Sequence, residues 1–350
     1  MQKQLLANVS VIRPVLIVLL VFYHAFAIYS GGWDPIEGFP KIRTYFWLDK
    51  LSYAFMLEAF VFLSGYVFGY QVRTIGEEKL KLMNLVWSKF KRLIVPGMVF
   101  SFLYILLLKD INQPVGKTLY SVVNGVGHLW FLPMLFWCFI GIWLIEKLRL
   151  GPGIVIPLLL LCSLCSFVHL PLRLDNTMYY LLFFYSGFIL KRREVDEERF
   201  YKLRYVVGLA VAFAILFPVL TLCRTQLKYF SALVGGGNSL IINDLGFALS
   251  NGAKLVYSSI GLALLFSLVG VAIKKRTSAV PQWLINIGNL CMGVYIFQQF
   301  ILAGLYDHTT LPTLLGPYWL PWIGFIITLS GSLLISFVLR LTKVGRFLIG

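Results

Sequence analysis

The chain has 350 residues, 59% of them hydrophobic and 13% charged, and its 31 lysines and arginines against 15 acidic residues give a net charge of +16. Soluble domains carry roughly 25% charged residues, so the composition excludes one and fits an integral membrane protein. In a soluble protein this charge would point to nucleic acid; here the basic residues fall between apolar runs, where asymmetric loops account for them and no nucleic-acid partner is expected.

Apolar runs bounded by charge, proline and glycine predict about ten transmembrane helices, near 10–30, 51–71, 90–108, 128–146, 152–169, 175–190, 204–223, 245–273, 283–305 and 317–341. Most approach the ~20 residues that cross a hydrocarbon core as helix. The expected fold is an all-α polytopic bundle, one domain over 1–350 with no separable soluble part. The first run lacks a convincing small-residue cleavage site and further spans follow it, so it reads as a retained helix and not as a secretory signal. With the N-terminus assigned to the cytoplasm, the inner loops hold more than twice as many Lys and Arg as the outer ones, which predicts both termini in the cytoplasm.

Helix one is VIRPVLIVLLVFYHAFAIY, Val11 to Tyr29, with Arg13 and His24 set into an apolar run. Eleven residues at 100° each bring the two onto one face, ~16 Å apart along the axis. A cation at the bilayer centre costs at least ~2.5 kcal/mol, less near an end. Arg13 reaching the interface and His24 joining a neighbouring helix would explain each residue singly; the shared stripe favours a functional cavity.

Further along, Glu58 in FMLEAFVFLSGY is either the partner of a buried cation or part of the chemistry. Ser64 and Gly65 read as small residues for close helix packing, and the pattern returns as FFYSGF, Phe183 to Phe188, a short echo of internal duplication. In KFKRLIVP, Lys89, Lys91 and Arg92 are either ordinary inner-face charge beside lipid head groups or a cradle for a polyphosphate. His128 and Trp130 in GHLWFL are an interfacial anchor with a structural histidine or, beside a cavity facing sugar, a hydrogen bond and a stacking platform. Cys162 and Cys165 have CxxC spacing without a second ligand pair, so they read as packing residues and no metal site is expected.

The stretch from Arg224 to Asn251, with Gly235, Gly236 and Gly237, is long enough to be a functional connection. Lys254 and the glycines around it suggest that the eighth helix starts near Leu255. In helix nine, Asn286, Asn289, Gln298 and Gln299 are expected to join helices through hydrogen bonds.

Together these segments resemble the acyltransferase 3 family of bacterial membrane proteins. The resemblance lies in Arg13 and His24 with ten residues between them, FVFLSGY, KRLIVP, HLWFL, FFYSGF and NIGNLCMGVYIFQQF, six motifs in family order over almost the whole chain. It implies transfer of an acyl group, often acetyl from acetyl-CoA, to hydroxyls of surface carbohydrates, from the cytoplasmic (inner) membrane and without a permanently bound cofactor. By position it makes Arg13 and His24 the functionally required pair. Many members have His where this chain has Gln298, which puts an acid–base role there in doubt. The resulting expectation is acyl-CoA docked by Arg13, Lys89, Lys91 and Arg92, with His24 at the reacting centre and His128, Trp130 and Glu58 towards a carbohydrate or lipid-linked acceptor. A transporter or flippase for a glycan or anionic substrate is the alternative, since spans, buried charge and loop asymmetry serve both.

Overall fold

The computed structural model describes residues 2–108, 114–234, 240–275 and 280–350, and the side chains of all of these except 2–6, 228–234 and 240–243. Gly235, Gly236 and Gly237 lie outside the described residues, as do Lys109 and Arg276. The described residues are mostly helical, without strands, and among them eight helices are long and apolar enough to cross a membrane. Large apolar side chains such as Phe102, Leu107, Ile215 and Phe337 stay exposed, which suits helices whose solvent is lipid.

Two compact units interleave along the sequence. The first, Met1–Met56, Ile94–Trp130 and Thr277–Gly350, contains α1 (Gln2–Phe26), α2 (Arg43–Tyr53), α5 (Val95–Leu108), α6 (Val115–Asn124), α12 (Gln282–Asp307), α13 (Leu311–Leu341) and α14 (Lys343–Ile349). Here α1 packs on α2, α12 and α13. The end of α1 enters a core in which Ala25, Phe26 and Ile28 meet Leu302 and Tyr306 of α12 and Leu320 of α13. The Tyr306 hydroxyl donates to the Ala25 carbonyl at 2.9 Å. A Cβ on Gly324 would come within 2.6 Å of that hydroxyl, so the glycine keeps its place open.

The second unit, Leu57–Leu93 and Phe131–Arg276, holds most of α3 (Met56–Ile75), with α4 (Leu82–Lys89), α7 (Phe131–Lys147), α8 (Pro152–Leu164), α9 (Leu174–Arg192), α10 (Leu203–Val234) and α11 (Leu240–Lys274). Its two Ser-Gly motifs meet. A Cβ on Gly65 would overlap the Phe184 carbonyl, one on Gly187 the Phe62 carbonyl and one on Gly69 the Phe188 carbonyl. The pairs 65 with 184 and 69 with 188 advance together, so α3 and α9 run parallel with their backbones in contact. The motif serines are bonded inside their own helices, Ser64 to Phe60 O at 2.9 Å and Ser186 to Leu182 O at 2.8 Å. The echo in the sequence is thus a reciprocal helix crossing. Gly65→Ala is expected to lower stability by about 1–3 kcal/mol or more, because a carbonyl cannot swing aside as a side chain can; unfolding of the purified variant measures it, with Ser64→Ala as the mild comparison.

Several elements differ from the sequence expectation, among them α10, which stays helical to Val234 where a connection from Arg224 to Asn251 was expected, its apolar run extending past Arg224. The segments α2 and α6 are helices where loops were expected; α6, at ten residues, is too short to cross a membrane, and α2 continues into α3 as one apolar stretch, Arg43–Ile75. The eighth predicted helix runs through Lys254 from Leu240, because that lysine has a carboxylate partner and need not lie in a loop. Of the ten predicted spans, 152–169 and 175–190 form helices, but α8 has only 13 residues and neither α8 nor α9 is among the eight long apolar ones.

Candidate functional site

His24 stands in the last turn of α1, 8% exposed. Because Ala25 and Phe26 beside it are locked into the core with α12 and α13, its ring direction is fixed by packing. On its other side Tyr23 lies 4.9 Å from the imidazole, ring centre to ring centre, and stacks on Tyr53 of α2 at 4.3 Å. The Nδ1 atom of His24 is buried and has no hydrogen-bond partner among the described residues.

Gln298 of α12 lies within interaction range of this imidazole. It is fully buried, and neither its Nε2 nor its Oε1 has a hydrogen-bond partner among the described residues. The adjacent Gln299 points about 100° away around the helix, and its oxygen is taken up. Its Oε1 accepts the backbone N–H of His128 at 3.0 Å and also meets Nδ1 of the His128 ring. Gly127 makes this possible: with φ 55° it turns the chain, and a Cβ there would stand 2.8 Å from the Gln299 oxygen. The Tyr295 hydroxyl donates to the His128 carbonyl at 2.6 Å, and Nε2 of His128 lies 3.0 Å from the Ile296 carbonyl.

His128 is therefore held by α12 at both ring nitrogens and at its backbone, 6.3 Å from His24 between ring centres. It forms a wall of the site, each ring nitrogen facing an oxygen of α12. Trp130, two residues on, ends the same short turn and is half-buried.

Arg13 is half-buried on α1, ~16 Å from His24 by the rise of the helix. Its guanidinium lies within electrostatic range of Cys291 on α12. Both polar heads of the α1 stripe thus lie within electrostatic range of α12, Arg13 of Cys291 and His24 of Gln298, about three turns apart along α1.

The other expected site residues belong to the second unit. Glu58, with none of its surface exposed, pairs with Lys254 Nζ at 2.9 Å. That ammonium also faces the rings of Tyr179 at 4.6 Å and Tyr180 at 5.4 Å. Of the two roles open to Glu58, the structure supplies the partner cation. Lys89 points into an aromatic pocket, 3.8 Å from the Phe139 ring centre and 5.4 Å from that of Phe68, and Lys91 covers Trp87 at 5.1 Å. Between α4 and α5 the backbone widens into a π-helical turn, Phe90–Ile94, which carries Lys91 and Arg92. Nearby cations are matched, Arg73 with Glu194 at 3.2 Å, Arg192 with Glu77 at 3.4 Å and Lys191 with Glu197. Lys89, Lys91 and Arg92 have no carboxylate within ion-pair distance among the described residues.

Sequence reasoning missed the division of labour between Gln298 and Gln299 and the place of Asp49. This aspartate is wholly buried on α2, with Lys50 at 3.9 Å and within electrostatic range of Tyr23. The available signal was geometric: consecutive residues of a helix cannot face one neighbour, so paired amides must serve two purposes.

No curated protein and no solved structure matches the chain. A family model described as an acyltransferase domain matches residues 6–341, nearly the whole length, with Arg13 and His24 inside the matched region. Apolar helices of spanning length, a helix-one stripe of arginine and histidine directed at α12, and this match agree, and the chain belongs to the acyltransferase 3 family of membrane acyltransferases.

Proposed function

We propose that this acyltransferase resides in the cytoplasmic (inner) membrane and moves an acyl group, acetyl by preference, from cytoplasmic acyl-CoA to a hydroxyl of an envelope carbohydrate or lipid-linked acceptor. The observation that carries the reading is His24: buried, fixed by packing, with an unpartnered Nδ1 on the same helix face as Arg13. With its proton on Nε2, the imidazole has a lone pair at Nδ1 with which to take up a hydroxyl proton. The hydroxyl oxygen attacks the thioester carbon, and the CoA thiolate leaves with the proton that His24 took up. Arg13 serves the donor side, and its depth near one end of α1 suits a phosphate better than a reacting carbonyl.

Donor binding at Lys89, Lys91 and Arg92 is supported by their lack of carboxylate partners where neighbouring cations are paired. Lys89→Gln with Lys91→Gln is expected to raise KM for acetyl-CoA about tenfold while kcat holds, since a phosphate contact is made alike in ground and transition states. An unchanged KM in a steady-state assay on purified protein removes the cradle from the reading. The test of the whole is deletion of the gene and complementation with wild type or a His24 variant, with ester-linked acyl groups on envelope glycans read by mass spectrometry; the fraction that regains the acyl mass identifies the acceptor.

A further inference from the structure

We infer that Gln298 is a catalytic residue whose side-chain amide donates to the acyl carbonyl oxygen at the reacting centre; this rests on the acyl-transfer reading above. The amide is fully buried, and both its polar atoms lack hydrogen-bond partners among the described residues. Buried polar groups are satisfied in the great majority of cases, and leaving one unmade is among the costlier defects a fold can hold. The polar neighbour of Gln298 across the helices is the His24 ring, whereas Gln299, one residue on, has its oxygen taken up by the backbone and ring of His128.

The unpartnered atoms are gathered at one place. His24 Nδ1 is also buried and unpartnered, and its ring stands 6.3 Å from that of His128, which Gln299, the residue next to Gln298 on α12, holds in place. Together they present a lone pair on the histidine, two N–H donors on the amide and one amide oxygen. A hydroxyl attacking a thioester needs an acceptor for the hydroxyl proton and a donor for the carbonyl oxygen, and this pair supplies both. An amide does not exchange a proton near neutrality, so Gln298 acts by hydrogen bonding alone.

The step balances. The acceptor hydroxyl gives its proton to His24 Nδ1 as its oxygen bonds to the thioester carbon, and the carbonyl π pair moves to oxygen, where the Gln298 Nε2–H groups receive it. The pair then returns to re-form the carbonyl, the carbon–sulfur bond breaks, and the thiolate takes the proton from His24. A donor placed where charge develops stabilises the transition state more than the substrate.

The test compares wild type, Gln298→Met and Gln298→His, purified in detergent, by thermal unfolding and by steady-state transfer from acetyl-CoA. Methionine fills the same space without polar atoms, so its Tm is expected to rise while kcat falls ~10²- to 10³-fold and KM for acetyl-CoA holds. Histidine restores an N–H donor and is expected to recover most of the rate. A Tm below wild type, or failure of Gln298→Met to fold, overturns the proposal by making the amide structural. An unchanged kcat in Gln298→Met overturns the donor role while wild-type transfer stands. Wild-type protein that transfers no acyl group at all overturns the acyl-transfer reading itself, and with it the role given to Gln298; the two failures are told apart by whether wild type is active.

Discussion

His24→Gln is expected to lower the transfer rate 10²- to 10⁴-fold, the range of general-base catalysis, with normal membrane levels and an unchanged Tm. Glutamine is close to histidine in size and keeps a hydrogen-bonding side chain, but it cannot take up a proton near neutrality. The fold has little to lose by the change. The residues that anchor this end of α1 are Ala25, Phe26 and Ile28 with their α12 and α13 partners, and His24 itself makes no hydrogen bond at Nδ1 that the substitution could break. Quantifying ester-linked acyl groups in cells complemented with each form, at matched protein abundance, reads the effect directly. Equal acylation by the two forms means that His24 is a packing residue and that the base lies elsewhere.

The largest expected loss of stability is at the pair Glu58 and Lys254. Removing one partner of a buried ion pair leaves an uncompensated charge and typically costs about 3–5 kcal/mol. The carboxylate has no exposure and the lysine side chain is 13% exposed, so water offers neither much relief. Glu58→Ala is therefore expected to unfold at markedly lower denaturant in detergent. Glu58→Gln combined with Lys254→Met is expected to recover most of the loss, because no charge is then left without a counter-charge. The Tyr179 and Tyr180 rings that flank the ammonium provide apolar surface for the methionine. A double variant no more stable than Glu58→Ala would mean that Glu58 contributes through something other than Lys254.

The Gly65 and Gly187 crossing bears on what a repeated motif says. Two copies of Phe-x-x-Ser-Gly could have marked related halves set apart in the molecule, yet they lie against one another in one unit, each glycine under the other helix's phenylalanine carbonyl. The small residues were legible as packing residues, but which helix each one met was not, since a glycine records only that something comes close.

By itself the sequence determined the membrane class, the helical fold, the Arg13 and His24 stripe and the family, because hydropathy, helical periodicity and ordered motifs are local properties of the chain. Tertiary structure alone decided that the stripe looks onto α12, that Gln299 holds His128 while Gln298 is left unpartnered beside His24, and that Glu58 meets Lys254. The physical reason is that a buried polar group is defined by its partner, and these partners come from helices up to some 270 positions away in the chain. Residue type and spacing show that a partner is needed; packing alone decides which residue it is.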